Sequence, residues 1–527
     1  MFETYLLIAL KNLIKREMYC LKFFLTLLIG LGTLTNTASA QDTVLTVTYK
    51  GKLDSLHSNI LKQKRLLQIF LPSDYKAGST DKYDVLYVLD GGNWNTGLVT
   101  QIQHFIEGQS QMPPTIIVSV MGIDRNIELT PTQLSSWQAP TGGADQFLGF
   151  ITKELIPYVN KTYPSNGVNS LWGHSLSGMF VMYTLLREPN AFTSYIAVDP
   201  SLWWDNSYVP KMAAEKLSAL DGLNKTLFIG SRDAANFHEF KIDTMETILK
   251  KMAPPSLKWK LVAYSDETHS SVRLKSTYDG LRFTYAGYTR AIEFHPMNGI
   301  VLKNKPVSLW YFDDITRVHY TTDGTVPTES SAQVQPDITL NGPATVTYKR
   351  FTNRSVYDKI ATGKFTTEKL PIPVSKLKNL IPGGFKYSYY EGDRDKIPDL
   401  KSMQPLKTGI FNKDFDAGAL SRKNNYALAI DGFLEIKEDG YHIIILQAGN
   451  YATLYLGGKL LIQRTDKDSR SDYSYVVPLS KGFYPLRVEY FDKKEHFNLH
   501  LYYITPSTMA SKDAVPIPLE VEYRSGK

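Results

Sequence analysis

Three residues of this 527-residue sequence have the types and spacing that nucleophilic catalysis requires. Ser175 stands in Gly173-His174-Ser175-Leu176-Ser177-Gly178, between a strand-forming run at 168–172 and a helical run carrying Met179, Phe180, Met182 and Leu186. A serine on a strand–turn–helix of this kind is forced into a strained backbone conformation, and its hydroxyl stands clear of the sheet. The Leu176 N–H beside it, at a helix N-terminus, is placed to stabilise an oxyanion. The fifth position is Ser177 where the usual Gly-x-Ser-x-Gly pattern has glycine, which comes one residue later. The base is His269, in Asp266-Glu267-Thr268-His269-Ser270 after a buried strand; it would take the Ser175 proton on attack and return it to the leaving group. His238 is the alternative base. The acid that fixes the histidine tautomer is expected at Asp233, after the strand at 226–230, with Glu239, Asp243 and Asp266 as other carboxylates nearby. A second oxyanion donor would come from Gly92 or Asn93, which follow another strand.

These side chains need a scaffold that brings strand ends together. Residues 83–90, 114–120, 168–172, 194–198, 226–230 and 259–263 are short apolar runs, each the mark of a strand buried on both faces. Between them lie stretches with helical periodicity, such as Phe147, Phe150, Ile151 and Leu155. Buried strands alternating with helices predict an α/β domain, with a mostly parallel sheet covered on both faces. Functional residues should cluster at the carboxyl ends of its strands, where the Gly91-Gly92, Ser175, Asp233 and His269 loops all fall.

Residues from about 42 to 287 resemble the esterase D / enterochelin-esterase-like family of α/β-hydrolases. The matching pieces, in the family's order, are Leu89-Asp90-Gly91, Asp124-Arg125 with Leu129-Thr130-Pro131, Glu154-Leu155-Ile156-Pro157, Gly173-His174-Ser175, Pro200-Ser201-Leu202-Trp203-Trp204 and His269-Ser270-Ser271. The resemblance implies a serine esterase working through an acyl-enzyme, with its triad in the order Ser, acid, His. Arg125 and the pair Trp203-Trp204 are expected to line the cleft, the arginine gripping an acidic or polyhydroxyl substrate and the rings facing a sugar or aromatic acyl group. The favoured substrate is an acetyl or feruloyl ester on a polysaccharide. A siderophore trilactone is the alternative within the same chemistry. A reading of another class is a carbohydrate-binding or adhesion protein whose hydrolase domain is a relic.

The chain is long enough for several domains, and 43% hydrophobic with 21% charged residues describes a globular protein. Lys11, Lys15, Arg16 and Lys22 precede an apolar run at 23–34 and an Ala38-Ser39-Ala40 site, the pattern of a signal peptide over residues 1–40. The protein is therefore expected to be secreted or periplasmic, with no membrane span once the leader is removed. The net charge of +7 would fall to +5 on losing the leader's four cations and two anions, and no dense basic block points to nucleic acid. The single cysteine, Cys20, lies in that leader, so residues 41–527 hold no disulfide, cysteine nucleophile or thiolate metal site. No cofactor and no metal are expected.

The α/β-hydrolase domain is assigned to residues 41–289. Behind it, residues 290–367 show short strands with an Asp323-Gly324 turn and resemble the immunoglobulin-like module at the C-terminus of chitobiases and hexosaminidases. Leu370-Pro371-Ile372-Pro373 reads as a stiff linker. Residues 368–527 resemble a PA14 β-sandwich, in Tyr387-Ser388-Tyr389-Tyr390-Glu391-Gly392, in residues 425–432 and in Val488-Glu489-Tyr490-Phe491. Both all-β modules resemble companions of sugar-active enzymes, so polysaccharide contact through them is expected. The place where sugar-binding PA14 domains keep calcium-holding aspartates reads Leu446-Gln447-Ala448-Gly449-Asn450, without an acidic residue.

Overall fold

The computed structural model of the chain describes residues 51–526, apart from 234, 312–313, 375–378, 394–397, 412–414, 416–419, 421, 423, 450, 466–471, 494–497 and 519–520. The expected leader and Asn450 lie outside the described residues. Strands β1 (Lys52–Ser58), β2 (Gln63–Phe70), β3 (Tyr83–Gly91), β4 (Thr115–Met121), β5 (Ser165–His174), β6 (Ser194–Val198), β7 (Lys225–Arg232) and β8 (Leu257–Tyr264) build one sheet. Their order is β1-β2-β4-β3-β5-β6-β7-β8. β2 is antiparallel to β1 and β4, and all remaining neighbours are parallel.

The apolar runs become central strands because both of their faces are covered. Helices α1 (Asn93–Gly108) and α3 (Val272–Thr284) pack against each other and against β3 and β7, while α2 (Leu176–Arg187) packs on β5 and β6. Leu171, Ala197 and Ile229 share a buried cluster with Met179 and Val181 of α2. The alternate positions turn to α3: Trp172 Nε1 donates to Thr277 Oγ1 at 2.9 Å. A Cβ on Gly280 of α3 would lie 2.7 Å from Ile196 Cγ2. The helical spacing around Phe147 yields Ala144–Phe150 and Ile156–Thr162, joined by a π-helical turn, Ile151–Leu155.

The all-β remainder is not divided at 367/368 into two separate cores. One hydrophobic cluster runs from Ile292 to Val521. Asn298–Ile300 pairs in parallel with Lys359–Thr366 on one side and with Asp472–Leu479 on the other, which fuses both regions into a nine-stranded sheet. Leu370–Pro373 is no free spacer either, because Pro371 is buried and the Val374 N–H donates to Phe483 O at 2.8 Å.

This β region is clamped to the hydrolase sheet at the amino end of β3. Asp84, 1% exposed, accepts from Tyr285 Oη (2.9 Å), Arg354 Nη1 (3.1 Å) and Asn166 Nδ2 (2.8 Å), and also from Tyr357 Oη. The Arg354 guanidinium lies over the Tyr285 and Tyr357 rings, 5.2 Å from each centroid. Among the described residues, no helix is long and apolar enough to cross a membrane.

Candidate active site

Strained residues gather at the carboxyl edge of the sheet. Asp90 is the last residue but one of β3, at φ 52°, Ser175 follows β5 at φ 64°, and Asp199 follows β6 at φ 41°. Left-handed backbone at non-glycine residues costs about 1–3 kcal/mol each and persists where the surroundings over-determine it. At the elbow the surroundings are tight, since a Cβ on Gly173 would lie 2.4 Å from Ser177 O, and one on Gly178 2.9 Å from Val198 O. Strand and helix can approach that closely only through glycine. Ser177, the departure from the usual pattern, has a task of its own: its hydroxyl donates to Asp90 Oδ2 at 2.8 Å and accepts from the His174 N–H at 3.1 Å. It ties the elbow to the end of β3.

Ser175 and His269 line one open cleft of about 810 Å³. His269 Nδ1 bonds Asp199 Oδ2 at 2.6 Å. A carboxylate only accepts, so Nδ1 carries the proton and Nε2 is left as the basic nitrogen. Ser175 Oγ sits 3.4 Å from Ser201 Oγ and makes no hydrogen bond to His269 in this state; catalytic hydrogen bonds commonly tighten only with substrate present.

The acid expected at Asp233 is therefore replaced by Asp199. Asp233 lies beyond the end of β7, where its N–H donates to Tyr264 O at 3.2 Å, and no bond joins its carboxylate to His269. Asp199 is fully buried and also accepts from Ser231 Oγ (2.8 Å) and Arg232 Nε (2.6 Å). Burial alone would push its carboxyl up. The bonds from His269, Ser231 and Arg232 outweigh that and hold it below the usual carboxylate range. The signal for Asp199 was available, since it directly follows the apolar run at 194–198, the strand-end position that marks the other site residues. His238, the alternative base, instead bonds Asp243 Oδ2 at 2.7 Å on the surface.

His174 packs its ring 4.4 Å from that of His269 and bonds the His269 carbonyl through Nε2 at 2.7 Å. A carbonyl accepts, so Nε2 is the protonated nitrogen. Burial, reinforced by His269 and Arg273, pushes this imidazole down to about 3 and keeps it neutral. His174 thus braces the base loop as an uncharged donor.

Leu176 begins α2, as the elbow requires, and Asn93 begins α1. Of the two loop amides expected to complete the oxyanion hole, that of Gly92 already donates to Thr96 Oγ1 at 3.0 Å. The Asn93 N–H, in the first turn of α1, is the one without an intrahelical partner.

Arg125 lines the cleft, held through Nε by Asp90 Oδ2 at 3.1 Å. Burial pushes the Asp90 carboxyl up, against the pull of Arg125 and Ser177. The tryptophans do not line the cleft as expected. Trp204 is fully buried, donating Nε1 to Thr132 Oγ1 at 3.0 Å. Half-buried Trp203 packs with Trp204 and Trp137, ring centroids 5.9 and 6.3 Å away. The cleft instead presents Trp94, 82% exposed, and Arg273, whose Nη1 donates to Asn95 Oδ1 at 2.8 Å. Neither carried a sequence signal beyond its position after a strand or a catalytic histidine.

Residues 58–244 match the family described as "Putative esterase", and residues 383–515 match the PA14 domain. The chain carries an esterase-family α/β-hydrolase domain and a PA14 domain. The ferri-bacillibactin esterase BesA of Bacillus subtilis is 25% identical over 248 residues, 42% of this chain and 85% of that protein. The siderophore enterobactin esterase of Emericella nidulans is 44% identical over 68 residues, 12% of this chain. The chain spans just 22% of that fungal relative's length. An IroE-like serine hydrolase from Shewanella oneidensis aligns at 31% identity and TM-score 0.42, over 44% of this chain and 79% of that one.

Proposed function

We propose that the chain is a serine esterase that hydrolyses carboxylic esters through an acyl-enzyme on Ser175. The observation that carries this reading is the hydrogen bond from His269 Nδ1 to buried Asp199, in the cleft that Ser175 lines from a strained elbow. His269 takes the Ser175 proton as Oγ attacks the ester carbonyl. The Leu176 and Asn93 amides receive the developing oxyanion. His269 then returns the proton to the leaving alkoxide, and water repeats the sequence on the acyl-enzyme.

For the substrate, the reading extends to anionic, siderophore-type esters. Arg125 and Arg273 place two guanidinium groups in the cleft against the single carboxylate of Asp90, and exposed Trp94 offers an aromatic face. The names of the curated relatives favour the same class. Export, with action outside the cytoplasm, belongs to the proposal and follows from the leader expected at 1–40.

The test is kcat/KM on a catecholate trilactone, a feruloyl-sugar ester and an aryl acetate, for the parent and Arg273→Gln. The trilactone should be preferred and should lose about tenfold in Arg273→Gln while the aryl acetate holds within a few-fold. Faster turnover of the feruloyl sugar, insensitive to Arg273, moves the substrate to a carbohydrate-linked ester.

A further inference from the structure

Arg232 ends β7 and turns its guanidinium onto the acid of the triad. Its Nε donates to Asp199 Oδ2 at 2.6 Å, the oxygen that also accepts from His269 Nδ1 at 2.6 Å. The far end of the guanidinium donates to Asn236 Oδ1 at 2.5 Å, and its Cζ lies over the Phe240 ring, 4.7 Å from the centroid. Phe240 in turn packs 5.5 Å from His269. Arg232 is 11% exposed at its side chain, so this cation acts in a poorly screened place. A surface ion pair would leave the carboxylate to the solvent; here one oxygen is shared between a fixed cation and the catalytic imidazole.

We propose, on the serine-esterase reading above, that Arg232 is a positioning residue: it locks the Asp199 carboxylate against His269 and offsets part of the carboxylate's charge, so that the imidazole is held in place as acceptor of the Ser175 proton. Asp199 by itself favours the imidazolium, which cannot accept the Ser175 proton. A cation on the same oxygen weakens that preference, and Phe240 keeps guanidinium and imidazole in register. The other groups facing His269 leave room for this effect. His174 is neutral, Arg273 stands on α3 in the cleft, and on the loop of His269 itself Glu267 is bound by Lys275 and Ser271. All of these are unchanged when Arg232 alone is altered.

The test reads His269 directly, by NMR titration of its imidazole in the full chain, assigned among the ten histidines by comparison with His269→Gln. In Arg232→Met the midpoint should rise by about one pH unit, and the acid limb of kcat/KM should move by the same amount. Arg232→Lys, which keeps the charge but not the planar fork, should return the midpoint towards the parent while kcat stays about tenfold low with KM within twofold. Asn236→Ala, which frees the far end of the guanidinium and spares the buried carboxylate, should move the midpoint the same way by less, and serves if Arg232→Met fails to fold. An unmoved His269 midpoint in Arg232→Met and Asn236→Ala, even with a lowered melting temperature, overturns the proposal. Failure of the underlying reading looks different: parent and Ser175→Ala would then hydrolyse esters alike, while the titration would still report on Arg232.

Discussion

Replacing Asp199 by asparagine exchanges one carboxylate oxygen for an amide NH₂ in a fully buried place. That carboxylate accepts from His269 Nδ1 and Arg232 Nε on Oδ2 and from Ser231 Oγ on Oδ1. An asparagine can keep its carbonyl for only one side. With the carbonyl in the place of Oδ2 it still accepts from both His269 and Arg232, and the NH₂ in the place of Oδ1 donates to Ser231 Oγ, so the tautomer is kept and only the charge is lost. The imidazolium that forms as His269 takes the Ser175 proton is then left without its buried counter-charge. Loss of that charge-assisted bond costs about 10² in kcat, or about 3 kcal/mol of transition-state stabilisation. Folding should suffer less than loss of a fully enclosed ion pair, because Arg232 keeps Asn236 and the Phe240 ring; about 1–3 kcal/mol is expected. The assay is kcat on a soluble aryl ester with parallel urea denaturation, and Asp233→Asn as control. Asp199→Asn within tenfold of the parent, or Asp233→Asn falling by more than a hundredfold, would refute the assignment.

Arg354→Met leaves Asp84 buried without its cation, a loss of about 3 kcal/mol in denaturant unfolding; a change below about 0.5 kcal/mol would show that the clamp between the β region and the hydrolase sheet contributes little. The neutral state of His174 gives a pH signature. Its folded value of about 3 lies below the unfolded value of about 6.5, so the unfolded chain binds the extra proton between them and stability falls as pH drops through that window. His174→Gln keeps an N–H donor and cannot titrate, so its melting temperature should fall less than the parent's between pH 6.5 and 4; parallel curves would contradict the buried neutral imidazole.

The hydrolase sheet could be read from the sequence because each central strand is a local apolar run, too short for a buried helix and rich in β-branched and aromatic residues. Ser175, Leu176 and His269 were legible for a related reason: each follows such a run, and strand ends in a parallel sheet converge. The same rule would have found Asp199. The reading passed over it for Asp233, one strand further along, where the acid of this fold is more commonly kept. Trp204 misled because a tryptophan pair next to an elbow resembles a binding platform. Which of two adjacent rings points inward is set by packing, and Thr132 and Trp137 take Trp204 into the core. The fused β region was the least legible part. Asn298–Ile300 carries no local sign that its partner is Asp472–Leu479, since pairing between distant strands is chosen by the assembled core.

The central claim is that Ser175 is the acylated nucleophile. It is tested most directly by reacting the full chain with a fluorophosphonate, then measuring intact mass and mapping the modified peptide. The account predicts one adduct, on Ser175, with complete loss of ester hydrolysis, and no adduct on folded Ser175→Ala. An adduct on another residue, or a Ser175→Ala protein that hydrolyses esters at the parent's rate, would contradict it.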